Sequence, residues 1–182
     1  MGHPFPDSKY GIIVVDPPWN VQKLTHKARP HQVGFDYPTM SLDAIGRLPI
    51  GGLAANSCLC FLWTTQKYLW DAKPILEGWG FHHLLTMVWQ KTYGRSAGMP
   101  LYGFRWNAEF ILVGYNTKPA LWPKRPLIPA VFQAENVRHS QKPDGFYKLI
   151  ETLGTPRIDI FARTVREGWD VWGDEIERSI DG

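Results

Sequence analysis

Four consecutive residues, Asp16-Pro17-Pro18-Trp19, set a carboxylate, a pair of prolines and a flat aromatic directly behind a short apolar run, Tyr10-Gly11-Ile12-Ile13-Val14-Val15. Proline has no backbone donor and fixes φ near about −65°, so the carboxylate and the neighbouring carbonyls are held as acceptors with little freedom to move. Acceptors beside one aromatic surface suit a planar group with N–H hydrogens to give, such as the exocyclic amine of a base. The bland alternative is a stiff turn with a tryptophan packed beneath it. Position argues for a site: a β-branched run ended by an acid and prolines reads as a buried strand opening into a loop at its carboxyl end, the edge where an open α/β sheet binds ligands.

Charge supplies a second signal. Between Trp19 and Tyr37 lie Lys23, His26, Lys27, Arg29 and His31, with no acid until Asp36. The segment beside the acceptor loop is therefore strongly cationic, although the chain as a whole carries only +3 at a pI near 8.9. Such a patch is the electrostatic footprint of a polyanion, and Lys23, Lys27 and Arg29 are its candidate contacts.

The elements that must position these groups alternate along the chain. After the strand at 10–15 comes a polar and basic stretch over 20–40 without periodicity, then Ser41 as N-cap of a short helix through Leu48. Ser57 to Trp63 reads as a buried strand. Gln66 to Glu77 reads as an amphipathic helix with Leu69, Ala72, Ile75 and Leu76 on one side and Pro74 weakening its middle, ended by Gly78 and Gly80. Phe81 to Gln90, ending in Lys91-Thr92, and Ala108 to Tyr115 are further strands, separated by a glycine-containing loop. A connection with Pro119, Pro123, Pro126 and Pro129 follows, read as irregular. Pro143 opens a helix with Phe146, Leu149, Ile150 and Leu153 on its apolar face, ending at Gly154. Arg157 to Phe161 and Trp169 to Gly173 close the pattern as strands joined by a tight loop. Strands alternating with helices imply an α/β fold with a largely parallel sheet, and 182 residues without an internal boundary imply one domain over 1–182.

Composition narrows the function classes. No apolar stretch approaches the roughly 20 residues of a membrane span, and the first residues lack a secretory pattern, so the expected compartment is the cytoplasm with no membrane partner. Cys58 and Cys60 share a strand face and pack as small hydrophobes, and the histidines form no ligand spacing with them. No metal is expected.

The order of landmarks then carries a resemblance. Asp16-Pro17-Pro18-Trp19, Tyr37-Pro38-Thr39-Met40-Ser41, Phe61-Leu62-Trp63, Val88-Trp89-Gln90-Lys91-Thr92, Asn107-Ala108-Glu109, Ser140-Gln141-Lys142-Pro143-Asp144 and Ile158-Asp159-Ile160-Phe161-Ala162-Arg163 resemble, in sequence, an N6-adenine methyltransferase family. This is the MT-A-seventy family, typified by the catalytic subunit of the eukaryotic messenger-RNA adenosine methyltransferase. The match spans nearly the whole chain and looks like a compact bacterial or phage member. It implies a Rossmann-like methyltransferase sheet in permuted order, with the catalytic strand first and the strand holding S-adenosylmethionine near the end, and S-adenosylhomocysteine as product. The residues agree independently: a strand over Asp159 to Phe161, a tight turn, then a strand ending at Asp174-Glu175 offers carboxylates to ribose hydroxyls. Ala162-Arg163-Thr164-Val165-Arg166 stands where a glycine-rich loop is usual, and Val165, Arg166, Asp174 and Glu175 depart from the His-Asn and Asn-Gln that family members often carry.

Roles follow from the resemblance. Asp16 and the Pro17 carbonyl would accept the N6 hydrogens, Pro18 would stiffen the loop, Trp19 would stack on the extruded base, and Tyr37 is a second platform or else an aromatic plug. Asn107 and Glu109 would meet the target nucleoside, though a strand-end glutamate paired with Arg105 gives the same sequence. Lys142 would reach cofactor or adenine, and Asp16, Asp159, Phe161, Arg163, Arg166, Asp174 and Glu175 would hold the cofactor. DNA is the favoured polymer and RNA the alternative; a noncatalytic nucleic-acid-binding partner subunit is the competing class. A single protomer has little surface to grip a duplex, so a homodimer is expected.

Overall fold

A computed structural model of the chain describes residues 4–20, 38–92, 104, 107–117, 127–135 and 142–173. Its strands form a seven-stranded sheet in the order β5-β3-β4-β2-β1-β6-β7. These are β1 (Tyr10–Val15), β2 (Ala54–Thr64), β3 (His82–Thr92), β4 (Ala108–Tyr115), β5 (Val131–Glu135), β6 (Arg157–Ile160) and β7 (Asp170–Trp172). The helices are α1 (Leu42–Gly46), α2 (Leu69–Gly78) and α3 (Asp144–Glu151). Every pairing is parallel except those of β4, which runs antiparallel to both β2 and β3.

The continuous apolar reading of β1 follows from its place. It lies between β2 and β6 with both faces covered, so Ile12, Ile13, Val14 and Val15 are all buried. Strand alternation divides these side chains between two cores. Ile13 and Val15 join Cys60, Leu62, Ala72 and Leu76 on the face covered by α1 and α2. Ile12 and Val14 join Phe61, Trp63, Phe146 and Ile150 on the face covered by α3. Cys58 and Cys60 are free thiols buried in the first core, on one face as expected.

Local signals account for most boundaries. Ser41 caps α1, its hydroxyl accepting from the Ala44 N–H at 3.1 Å. The segment expected to be one helix from Gln66 begins instead as a 3-10 turn over Gln66–Tyr68 before α2, and α2 carries Pro74 inside it. Gly80 follows at φ +89, a conformation that costs glycine nothing. The strand β5 was not expected from the sequence. It is a five-residue edge strand, exposed or half-buried throughout, and its alternation of Val131, Phe132, Gln133, Ala134 and Glu135 lacks the long apolar run that marks β1 and β2.

Chain direction changes at β1: the chain leaves it for β2 on one side, and the later strands β6 and β7 build out on the other. The carboxyl ends of β1 and β6 therefore border the crevice where an open α/β sheet binds ligands. Close approach there depends on Gly173, just past β7, where an added Cβ would lie 3.0 Å from the Phe161 Cα and 3.2 Å from the Ala162 nitrogen and oxygen. Backbone atoms cannot rotate aside as a side chain can. Gly173→Ala is expected to destabilise the fold by about 1–3 kcal/mol through this overpacking. Urea denaturation measures it, and an unchanged midpoint would show that the two loops are not in contact.

Candidate active site

The acceptor loop is pinned at every residue. Asp16 donates its N–H to the Ile160 carbonyl at 3.2 Å, tying the end of β1 to the end of β6. The Pro17 carbonyl accepts from the Trp19 N–H at 2.8 Å, and the Pro18 carbonyl accepts from the Met40 N–H at 2.9 Å. Since a carbonyl oxygen has a second lone pair, Pro17 retains one acceptor position. The Trp19 indole donates to the Trp63 carbonyl at 2.9 Å, and its ring stacks on Tyr68 at 5.3 Å between centroids.

Trp19 thereby corrects one expectation. With 7% of its surface exposed, its ring lies in the core and offers no open face for a base. Its anchoring job follows from amphipathic chemistry: the indole N–H must find a partner once buried, and it finds one on the neighbouring strand. The packed-turn reading describes this residue.

Asp16 is 16% exposed and pairs with Lys142, its Oδ1 lying 3.1 Å from Nζ. Lys142 precedes Pro143, the N-cap residue of α3, and its Nζ also lies 3.0 Å from Glu109 Oε2 and 4.9 Å from the centre of the Trp63 ring. Glu109 reaches this edge because β4 runs antiparallel, which puts the start of β4 beside the ends of β2 and β3. The glutamate's partners are Lys142 and Lys91, the latter through Oε1. Asn107 stands just before β4, its carbonyl accepting from the Lys91 N–H at 2.7 Å.

The electrostatics follow from burial against pairing. Burial pushes the Asp16 carboxyl above the usual aspartate range, opposed by Lys142 and reinforced by Glu109. Burial acts the same way on Glu109, but Lys142 and Lys91 together overcome it and hold the carboxyl below its usual value. Burial would lower the Lys142 ammonium, yet Asp16 and Glu109 raise it, so the lysine stays charged.

The other wall belongs to β6, the loop after it and α3. A cleft is bordered by Asp16, Lys142, Asp159, Phe161, Arg163 and Arg166. Asp159 is 3% exposed and accepts from the Tyr147 hydroxyl at 2.8 Å, with Arg166 Nη1 at 3.5 Å from the same oxygen. Arg166 lies flat over the Tyr147 ring at 3.6 Å, and its Nη2 reaches Asp144 at 3.1 Å. Its Nε is buried without a hydrogen-bond partner among the described residues. Phe161 sits at φ +66, an uncommon conformation for a bulky residue and one that clusters at functional sites. The special backbone expected of a glycine-rich loop is thus divided between Phe161 and Gly173. Val165, a departure from the family pattern, is 60% exposed.

Of the residues predicted from sequence, Asp16, Pro17, Glu109, Lys142, Asp159, Phe161, Arg163 and Arg166 gather at one sheet edge. Tyr37, Lys23, Lys27, Arg29, Asp174 and Glu175 lie outside the described residues, as does Arg105. The sequence reading missed Tyr147 and Lys91. A tyrosine on the apolar face of a helix reads as core, and Lys91 becomes informative only once strand pairing is known, because Trp89 stands opposite Glu109 in the β3–β4 ladder.

A sheet of this order, with an acceptor loop after its first strand and a ligand cleft shared with a strand near the chain's end, is that of a Rossmann-like methyltransferase. The MT-A70 family model matches residues 10–175, and the chain belongs to that family of S-adenosylmethionine-dependent N6-adenine methyltransferases. It is 30% identical to the type II methyltransferase M.MunI of Mycoplasma sp, over 94% of this chain and 79% of that protein. It is 28% identical to a putative N(6)-adenosine-methyltransferase MT-A70-like protein of Medicago truncatula, over 92% of this chain. It is 29% identical to the human N(6)-adenosine-methyltransferase catalytic subunit METTL3, over 93% of this chain. The chain spans only 26% and 28% of those two eukaryotic proteins.

Asp159 gives a measurable consequence. Burial, opposed by Tyr147 and Arg166, raises its carboxyl to about 7. An unfolded aspartate titrates near about 3.9, so between those values the folded protein holds a proton that the unfolded chain releases, and stability falls as pH rises through this window. The stability of Asp159→Asn relative to the native protein is therefore expected to rise from about pH 4 to about pH 7, by at most about 1.4 kcal/mol per pH unit, and to level off above. Urea denaturation across this range tests it; a pH-independent difference would contradict the assignment.

Proposed function

We propose that the chain transfers a methyl group from S-adenosylmethionine to the N6 amine of adenine in nucleic acid, as one methyltransferase domain over 1–182. The observation that carries this reading is the Asp16 carboxylate, held on a pinned loop at the mouth of the cleft and only half satisfied by a lysine it shares with Glu109. The adenine amine is a poor nucleophile because its lone pair is delocalised into the ring. Asp16 and the free lone pair of Pro17 accept its hydrogens, which turns the nitrogen toward sp³ geometry and frees the lone pair. As the nitrogen gains positive charge, the fixed carboxylate stabilises it more than it stabilises the starting amine, so the contact raises rate more than binding.

The cleft suits the cofactor by the chemistry of its walls. The buried Nε of Arg166, without a partner among the described residues, is a donor suited to an oxygen, and Arg163 adds a second cation for a carboxylate. Asp16 and Asp159 supply acceptors for an ammonium, and Asp174 and Glu175 are retained from the sequence for ribose hydroxyls. When bound, S-adenosylmethionine supplies an electrophilic methyl on sulfur.

DNA is favoured over RNA because the alignment covering most of both partners is with a type II methyltransferase, whereas the relatives named for adenosine are matched over about a quarter of their length. Lys23, Lys27 and Arg29 hold the backbone in this reading. A homodimer supplies the grip that one protomer lacks, and the cytoplasm is the compartment in which Cys58 and Cys60 remain thiols. Among the described residues, no helix is long and apolar enough to cross a membrane.

Asp16→Ala is expected to lower methyl transfer by about 10²–10³-fold or more while weakening S-adenosylmethionine binding far less, since Asp159 remains as an acceptor for the ammonium. Incubation with labelled cofactor and unmethylated DNA or RNA, with N6-methyladenine quantified by mass spectrometry, tests this. Retained turnover would sink the mechanism, and failure of the native chain to bind the cofactor would instead favour a noncatalytic partner. Separately, neutralising Lys23, Lys27 and Arg29 together is expected to flatten the slope of log affinity against log salt by about 2–3. An unchanged slope would remove these residues from the interface.

A further inference from the structure

Lys91 has no place in the reaction as proposed, yet it is 16% exposed at the end of β3 and its Nζ is bound to Glu109 Oε1. The other oxygen of that carboxylate holds Lys142 at 3.0 Å, and Lys142 in turn holds Asp16 at 3.1 Å. The groups form a chain of alternating charge, Lys91, Glu109, Lys142 and Asp16, whose sum is zero. The lysines rest on a pair of fully buried tryptophans: Lys91 lies 4.8 Å from the Trp89 ring centre and Lys142 4.9 Å from that of Trp63. Those rings meet edge to face at 6.0 Å. The floor beneath the chain is therefore rigid, and the ammonium groups are fixed from below as well as from the side. Lys91 is also tethered by its own N–H to the Asn107 carbonyl.

We infer that Lys91 is a positioning residue for methyl transfer: by satisfying one oxygen of Glu109, it keeps Lys142 shared between two carboxylates and so leaves Asp16 free to receive the amine. This rests on the proposed function. The physical argument is competition for one cation. Asp16 is faced by Lys142, Glu109 and Arg163 and, from β6 and α3, by Asp159 and Tyr147, and Glu109 is faced by Lys142, Lys91 and Asp16. Without Lys91, the buried Glu109 has lost a partner that offsets its desolvation. It either draws Lys142 away from Asp16, whose own burial then favours the protonated acid, or it takes up a proton and releases Lys142 wholly onto Asp16. A protonated Asp16 is a weaker acceptor, and a fully paired one has no oxygen to spare. Among the described residues Lys91 does not border the cleft, and its Nζ is bound to Glu109, the carboxylate through which it acts in this inference.

Lys91→Met keeps the length of the side chain and removes its charge. It is expected to lower kcat at neutral pH by about tenfold, to move the acid limb of the pH profile of kcat upward, and to leave S-adenosylmethionine affinity within about twofold of the native value. Lys91→Arg is expected to restore most of the rate, and Lys91→Gln to reproduce the loss if the methionine variant folds poorly. An acid limb that superimposes on the native one, or Lys91→Arg as impaired as Lys91→Met, would overturn the inference. A second measurement does not depend on turnover: in ¹³C-carboxyl NMR titrations without cofactor, Lys91→Met should raise the midpoint of Glu109 or Asp16. Unmoved midpoints would overturn the coupling even in an active enzyme, whereas a native protein without turnover but with shifted midpoints would overturn the methyltransferase reading and leave the ionic coupling standing.

Discussion

A carboxylate at the end of a strand buried on both faces has lost most of its water, and the protein must compensate it or surrender its charge. Asp16 is in that position because β1 occupies the middle of the sheet and ends under the helices. One lysine compensates it only in part, and that lysine also answers to Glu109, which is held in turn by Lys91. The site is thus a row of charges whose two inner members, Glu109 and Lys142, each answer to two partners. Burial pushes the Asp16 carboxyl up, and the shared lysine opposes that shift.

The fold makes this row possible through one antiparallel strand. Had β4 run with its neighbours, its first residues would lie at the amino edge of the sheet, far from Asp16. Because it reverses, Glu109 at its start stands level with Trp89, near the ends of β2 and β3. Four stretches distant in sequence then deliver their polar groups to one edge: the loop after β1, the end of β3, the start of β4 and the residue before Pro143. The apolar floor below them, Trp63 against Trp89 and Phe146, comes from the inward faces of β2, β3 and α3. It excludes water from beneath the ion pairs and strengthens them.

The second half of the cleft solves a different problem, bringing the loop after β6 close to the end of β7. Positive φ at Phe161 turns the chain, and the missing side chain at Gly173 lets the strands meet. Tyr147, Arg166 and Asp159 then lock the wall by a hydroxyl, a guanidinium and a carboxylate in mutual contact. Among the described residues the Arg166 Nε in this wall has no hydrogen-bond partner, the kind of defect that a ligand oxygen repairs.

The sequence alone determined the stiff loop after β1, most of the strands and helices, the α/β pattern and the family, because rigid prolines, β-branched runs and helix caps act over a few residues and the landmarks recur in order. Cys58, Cys60, Ser41 and Pro143 stood where local rules put them. Only the tertiary structure decided what Trp19 does, that Glu109 binds two lysines, that Tyr147 supports Asp159, and that Val131–Glu135 forms an edge strand. Those facts depend on which strands lie side by side and in which direction, and a sequence encodes such pairing only through the summed burial of many distant side chains. The carboxylate at the end of β1 could be read from four residues; its burial, and Lys142, Glu109 and Arg163 that oppose or reinforce that burial, come to it only through the fold.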